Sequence, residues 1–167
     1  MISGARVTGN GLAELFRAQA TPLFRLGIAL TGDAHLAEDL VQDAFVALAR
    51  QPRAPRAGTE AAYLRRTLVN ASHDHHRHMA VVHKHPYVTP DDQPAAEVTV
   101  GRREAQRRVA EAVRALPTRQ RDCMVLRCYG EATDAEIADT LSITVGSVKA
   151  HLHRARETLA RQLEDLR

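Results

Sequence analysis

Tryptophan is missing from this chain of 167 residues, and the other large aromatics are three Tyr and three Phe. Any core must therefore be assembled from aliphatic side chains, chiefly leucine and alanine, which favours helices over sheet. There are only two cysteines, Cys123 and Cys128. Five positions apart within one helical pattern, they suit neither a disulfide nor a four-ligand zinc site, and both are expected as reduced helix-core thiols. Long hydrophobic runs are lacking too. No stretch of about eighteen apolar residues occurs, so no membrane insertion is expected. The opening "MISGARVTGNGL" lacks the apolar centre of a secretory signal, which makes the cytoplasm the expected location. A surplus of one charge sign is also lacking. The formal net charge is +3, which permits a polyanionic partner without requiring one.

What is present is helical periodicity in two blocks. Residues 12–31 place Leu12, Leu15, Phe16, Leu23, Leu26 and Leu30 near a 3.6-residue repeat. Pro22 is expected either to kink this helix or to start a second one. Gly32 suits a helix stop and Asp33 an N-cap. The next helix runs to about Arg50, with Leu36, Leu40, Ala44 and Leu48 on one face. "QPRAPRAG" ends it, and a third helix spans about Thr59 to Met79, with Leu64, Leu68 and Ala71 inward. Periodicity then fails from about Val81 to Gly101, a proline-rich stretch that reads as an extended tether.

The second block begins at residue 102, with Val109, Val113 and Leu116 inward. After Pro117, residues 118–129 carry Met124, Val125 and Cys128. Thr133 and Glu136 form a capping-box pair, and Ile137, Ala138 and Leu141 are the inner face of a short helix. Thr144 is placed to cap the last helix, with Val148, Leu152, Ala155, Leu159 and Leu166 inward. The fold class is therefore all-α: two small helical domains joined by a flexible linker. The expected divisions are a flexible N-terminus over 1–11, a first domain over 12–80, a linker over 81–101 and a second domain over 102–167.

The segment "DAEIADTLSITVGSVKAHLHRA", residues 134–155, reads as a helix-turn-helix. Ala138 is small where two helices cross, Ile143 anchors the turn, and Val148 points back at the first helix. Its outward positions are Ser147, Lys149, Ala150, His151, His153 and Arg154, a mixture of cations, hydrogen-bonding groups and one small residue suited to phosphates and base edges. The plainer reading is a packed helical hairpin with a solvated basic face. Ser142 stands where a glycine would ease the turn.

The first block is chemically different. One helix carries Glu38, Asp39, Gln42 and Asp43, an acidic surface suited to a protein rather than to DNA. The following helix offers Tyr63, Arg65, Arg66, Asn70, His76 and Arg77, groups that suit unstacked bases and a phosphate backbone. Any one of these charges alone is worth little on a surface; the order of the segments carries more weight.

In that order, "LTGDAHLAEDLVQDAFVALAR", "YLRRTLVNASHDHHR" and "LPTRQRDCMVLRCYGEATDAEIADTLSITVGSVKAHLHRARETL" resemble three segments of bacterial RNA polymerase sigma factors of the extracytoplasmic-function type. The resemblance implies a promoter-specificity subunit without enzymatic activity or cofactor. Its implied partners are core RNA polymerase, promoter DNA and, in some members, an anti-sigma factor. By matching position it implies that Glu38, Asp39, Gln42 and Asp43 meet the polymerase. It implies that Tyr63, Arg65, Arg66, Asn70 and Arg77 lie along the −10 strand, with Arg53 and Arg56 on a loop that cradles a flipped base. Thr144, Ser147, Lys149, His151 and Arg154 would meet the −35 duplex. The family often has tryptophan where this chain has Tyr63.

Six histidines fall within residues 73–85. His73 with His76, and His75 with His78, have i,i+3 spacing, but no third ligand set is evident, and no metal is expected. A pH-dependent contribution to DNA contact is the favoured role. Two rival functions stay open at this point: a dimeric helix-turn-helix regulator that acts without polymerase, and a metal-dependent hydrolase that uses the histidines.

Overall fold

A computed structural model of the chain describes residues 9–52, 55, 56, 58–82 and 100–164. Among the described residues there are seven α-helices and no strand. They are α1 (Gly9–Thr31), α2 (Ala34–Arg50), α3 (Glu60–Val82), α4 (Val100–Ala115), α5 (Thr118–Cys128), α6 (Asp134–Leu141) and α7 (Val145–Gln162). The chain divides into two compact units, Met1–Tyr87 and Val88–Arg167.

In the first unit α1 runs unbroken through Pro22, so the proline neither ends it nor starts a second helix. It begins at Gly9, which makes residues 9–11 helical rather than part of a flexible N-terminus. Gly32 then takes φ 75°, a left-handed stop that glycine adopts without Cβ strain, and its N–H bonds the Ile28 carbonyl at 2.7 Å. Asp33 caps α2 as expected, its Oδ1 accepting from the His35 and Leu36 N–H groups at 2.9 and 3.1 Å.

The buried face of α2 comprises Ala37, Leu40, Val41, Ala44, Phe45 and Leu48, a broader stripe than the sequence pattern suggested, with Leu36 only half-buried. It packs on Leu23, Leu26 and Leu30 of α1 and on Leu64, Leu68 and Val69 of α3. Each such leucine stabilises the unit by about 1.5–3 kcal/mol relative to exposure. Gly27 lets α1 approach α2 closely: a Cβ there would lie 2.9 Å from the Ala37 Cβ.

Four inward positions shift. Leu12 and Leu15 are only half-buried, and Phe16 is 48% exposed, resting against Phe45 with ring centroids 5.0 Å apart. Ala71 is half-buried, and Ser72 takes the fully buried place, its hydroxyl donating to the Val69 carbonyl at 2.8 Å. The third helix extends to Val82, so residues 81 and 82 are helical rather than linker. Most of the expected linker lies outside the described residues.

In the second unit α4 starts at Val100, so positions 100 and 101 also leave the expected linker. Its buried residue is Ala112, followed by Leu116 just past its end; Val113 is half-buried and Val109 is 40% exposed. In α5, Cys123, Met124, Val125 and Leu126 are buried. Cys128 is exposed, against expectation, because it lies at the helix end beyond the packed stripe. Burial raises the Cys123 thiol to about 11. Leu166 lies outside the described residues.

Two devices join α5 to α6. Arg127 pairs with Asp134 across the intervening turn. Arg119 donates to the Leu141 carbonyl at 3.3 Å, meeting one of the free acceptors at the end of α6. α6 opens with the expected capping box between Thr133 and Glu136. Val148, Leu152 and Ala155 of α7 are buried, whereas Leu159 is half-buried.

Candidate nucleic-acid interface

The turn between α6 and α7 fixes the angle of the last helix. Ser142 sits at φ 53°, ψ 48°, the left-handed position of a Schellman stop. Its N–H reaches the Asp139 carbonyl at 3.3 Å, and the Ile143 N–H reaches Ala138 at 3.0 Å. Ile143 is half-buried rather than a fully covered anchor. Ala138 is 7% exposed, small enough for close crossing. The Thr144 Oγ1 then accepts from the Ser147 N–H at 3.1 Å, which starts α7.

Burial of Val148, Leu152 and Ala155 decides which residues α7 turns outward. At 100° per residue, the opposite face centres on Ala150, His153, Arg154 and Glu157. Ser147 and His151 flank it on one side, both half-buried; Lys149 and Arg156 flank it on the other, both exposed. Of the sequence-derived positions, Arg154 sits on this face, Ser147, Lys149 and His151 flank it, and Thr144 is the N-cap that precedes the helix. The Ser147 hydroxyl lies 2.9 Å from Thr144 Oγ1, so these two side chains bond each other. The His151 Nδ1 is turned inward and buried. Lys149 and Arg154 have no partner among the described residues. His153, 3.4 Å from the Glu157 carboxylate, shares the central face, as its outward place in the helical pattern led us to expect.

The first unit presents two further faces. On α2, Glu38, Asp39, Gln42 and Asp43 are all exposed, together with Val46. None of the four polar groups has a partner among the described residues. Packing of the opposite stripe forces this arrangement and leaves three carboxylates on one band of the helix.

On α3, Tyr63, Arg66, Asn70 and Arg77 follow steps of three and four, so they share a face. Arg66, Asn70 and Arg77 are exposed, and Tyr63 is half-buried. Arg65 is half-buried beside core Leu64 and lies off this line. Arg77 is ion-paired with Asp74 one turn back. Arg56 is exposed, its carbonyl accepting from the Thr59 N–H and hydroxyl at 2.9 and 2.7 Å. Arg53 lies outside the described residues.

Sequence reasoning missed Gln51, the C-cap of α2, whose Nε2 donates to the Tyr63 hydroxyl at 2.7 Å. It also missed that the His76 Nε2 lies 3.2 Å from the Leu30 carbonyl, against the end of α1. No group of three or more potential metal ligands occurs among the described residues. None of the described helices is long and apolar enough to cross a membrane.

Comparison with known proteins supplies the frame for these faces. Residues 15–80 match the family model for sigma-70 region 2, and residues 106–159 match that for sigma-70 region 4. The ECF RNA polymerase sigma factor SigE of Mycolicibacterium smegmatis is 28% identical over 87% of this chain, which spans 59% of that protein's length. SigL of Mycobacterium tuberculosis is 29% identical over 97% of both chains. The solved structure of the sigma factor RpoE from Bartonella quintana, in complex with the anti-sigma factor NepR, superposes with a TM-score of 0.77. The identity is 22%, covering 94% of this chain and 98% of that one. With regions 2 and 4 matched in order over well over half its length, this chain belongs to the sigma-70 family, among its extracytoplasmic-function members.

Proposed function

We propose that this chain is a promoter-specificity subunit of bacterial RNA polymerase. It binds the core enzyme and directs initiation by recognising the −10 and −35 elements. The observation that carries this reading is the ordered pair of family segments, each folded within one unit: region 2 within Met1–Tyr87 and region 4 within Val88–Arg167. The chemistry of the faces agrees. The unpartnered carboxylates of α2 would repel a phosphate backbone and suit a basic protein surface, here the core enzyme. The α3 face of Tyr63, Arg66, Asn70 and Arg77 suits a separated −10 strand, and the family resemblance adds Arg53, Arg56 and Arg65 to the same contacts. The α7 face suits the major groove of the −35 duplex, with Lys149 and Arg154 as cationic contacts.

The division of labour follows the two units: residues 9–82 for the core enzyme and the −10 element, 100–167 for the −35 element, and 83–99 as the tether. The chain acts where the polymerase and chromosome are, in the cytoplasm, and requires no catalysis or cofactor of its own. An anti-sigma protein is a natural regulator, as one is bound to the Bartonella relative. The rival reading, a dimeric regulator independent of polymerase, leaves region 2 and its acidic face without a purpose.

The deciding experiment mixes the purified chain with core polymerase and separates the mixture by size. Co-elution, together with transcription from a cognate promoter that core alone does not start, is expected. DNA binding without co-elution would favour the dimeric regulator.

A further inference from the structure

The polymerase reading leaves Gln51 without a role. It caps the C-terminus of α2, where its own N–H still bonds the Leu48 carbonyl at 3.2 Å, and its side chain crosses to the first turn of α3. There the amide Nε2 donates to the Tyr63 hydroxyl at 2.7 Å. The two residues are twelve apart in sequence, so the contact joins the end of one helix to the start of the next. Tyr63 is fixed at its other end as well, because its carbonyl accepts from Thr67 Oγ1 at 2.9 Å and its N–H bonds the Thr59 carbonyl at 2.9 Å.

We infer that Gln51 is a positioning residue for reading the separated −10 strand: it holds the Tyr63 ring in the orientation in which a flipped base stacks on it. The inference rests on the polymerase reading and adds a residue to it. A tyrosine side chain turns about two bonds, and an untethered ring at a half-buried helix start samples more than one rotamer. Anchoring the phenol oxygen from outside α3 removes that freedom before the strand arrives, so less ordering is needed on binding. With Nε2 as the donor, the phenol keeps its own proton. A phenol oxygen that accepts a hydrogen bond becomes a better donor to any acceptor on the strand.

The test uses holoenzyme assembled from full-length chain and core polymerase, on a promoter carrying 2-aminopurine at single positions of the −10 element. Gln51→Ala and Tyr63→Phe are expected to lower the open-complex signal each by about three- to tenfold, the range for losing one hydrogen bond. The double variant should be no worse than the more affected single one, because Gln51 acts only through the phenol. Closed-complex affinity of Gln51→Ala should stay at the wild-type value, and the free chain of each variant should melt within a few degrees of wild type, the range for one lost hydrogen bond, and stay folded at the assay temperature. If the two effects multiply, or if Gln51→Ala opens the promoter normally, the inference fails while the polymerase reading stands. Lowered melting in Gln51→Ala that accounts for the loss would also overturn it, reducing Gln51 to a structural cap. If wild-type holoenzyme gives no promoter-dependent signal, both fall.

Discussion

At the residue scale, two backbone positions yield sharp expectations. Ser142 holds a left-handed conformation that costs an L-residue about 1–2 kcal/mol, partly offset against glycine's greater freedom when unfolded. Ser142→Gly should therefore stabilise the second unit by about 0.5–1 kcal/mol. Thermal melting would register this as a rise of several degrees, and a fall would mean that the serine side chain contributes more than its backbone costs. Gly27 is the converse case. Gly27→Ala brings two Cβ atoms to 2.9 Å and should destabilise the first unit by about 1–3 kcal/mol. Adding Ala37→Gly should recover part of that loss. The thiols differ as well. Cys128 should react with Ellman's reagent in the native chain, and buried Cys123 only on unfolding. Since the Cys123 thiol is raised from 9.0 to about 11, its stabilising contribution is complete below pH 9 and is lost as pH climbs through about 11. Cys123→Ala should flatten the alkaline end of the stability profile, read by melting from pH 8 to pH 11.

At the element scale, the faces of α2 and α7 can be separated experimentally. Reversing Asp39 and Asp43 to lysine should weaken core-polymerase binding by at least about tenfold, because like charges then meet. Binding of the same chain to a −35 duplex should not weaken. Wild-type affinity for core would remove α2 from the interface. Lys149→Ala should lower duplex affinity for all sequences and make its salt dependence shallower by about one unit, as expected for one lost phosphate contact. Fluorescence anisotropy over a salt series checks both quantities. Much of this was legible in the sequence, because caps and stops are local. Asp33, the Thr133–Glu136 box and Thr144 each act within one helical turn, so residue type and spacing suffice. What was illegible depends on neighbours distant in the chain. Phe16 and Val109 fit the helical repeat yet remain exposed, since the repeat does not say which elements pack against that part of the helix. Ser147 satisfies the pattern of a base reader, but its hydroxyl is already bonded to the cap. Gln51 has no local signature, because its partner lies across a loop on another helix.

At the scale of the whole molecule, the tether is the testable element. Between α3 and α4 the composition of residues 83–99 suits a passive connector, and about seventeen residues can extend roughly 55–60 Å. Inserting a few glycines and serines near Gln93 should cost little, because loop-closure entropy grows only logarithmically with length. Deleting residues 86–98 should cripple open-complex formation, since the −10 and −35 elements are held apart by a stiff duplex. Transcription from linker-length variants decides it: equal damage from insertion and deletion would mean that the segment has a defined shape. The separate buried cores of Met1–Tyr87 and Val88–Arg167 also shape how damage is inherited. A core lesion severe enough to unfold the first unit leaves the second with its own core and its α7 face. Such a product would still occupy the −35 element while bringing no polymerase to it. In a cell carrying both alleles it would block the intact copy, so core mutations in the first half should behave as dominant-negative, and equivalent lesions in the second half as simple losses.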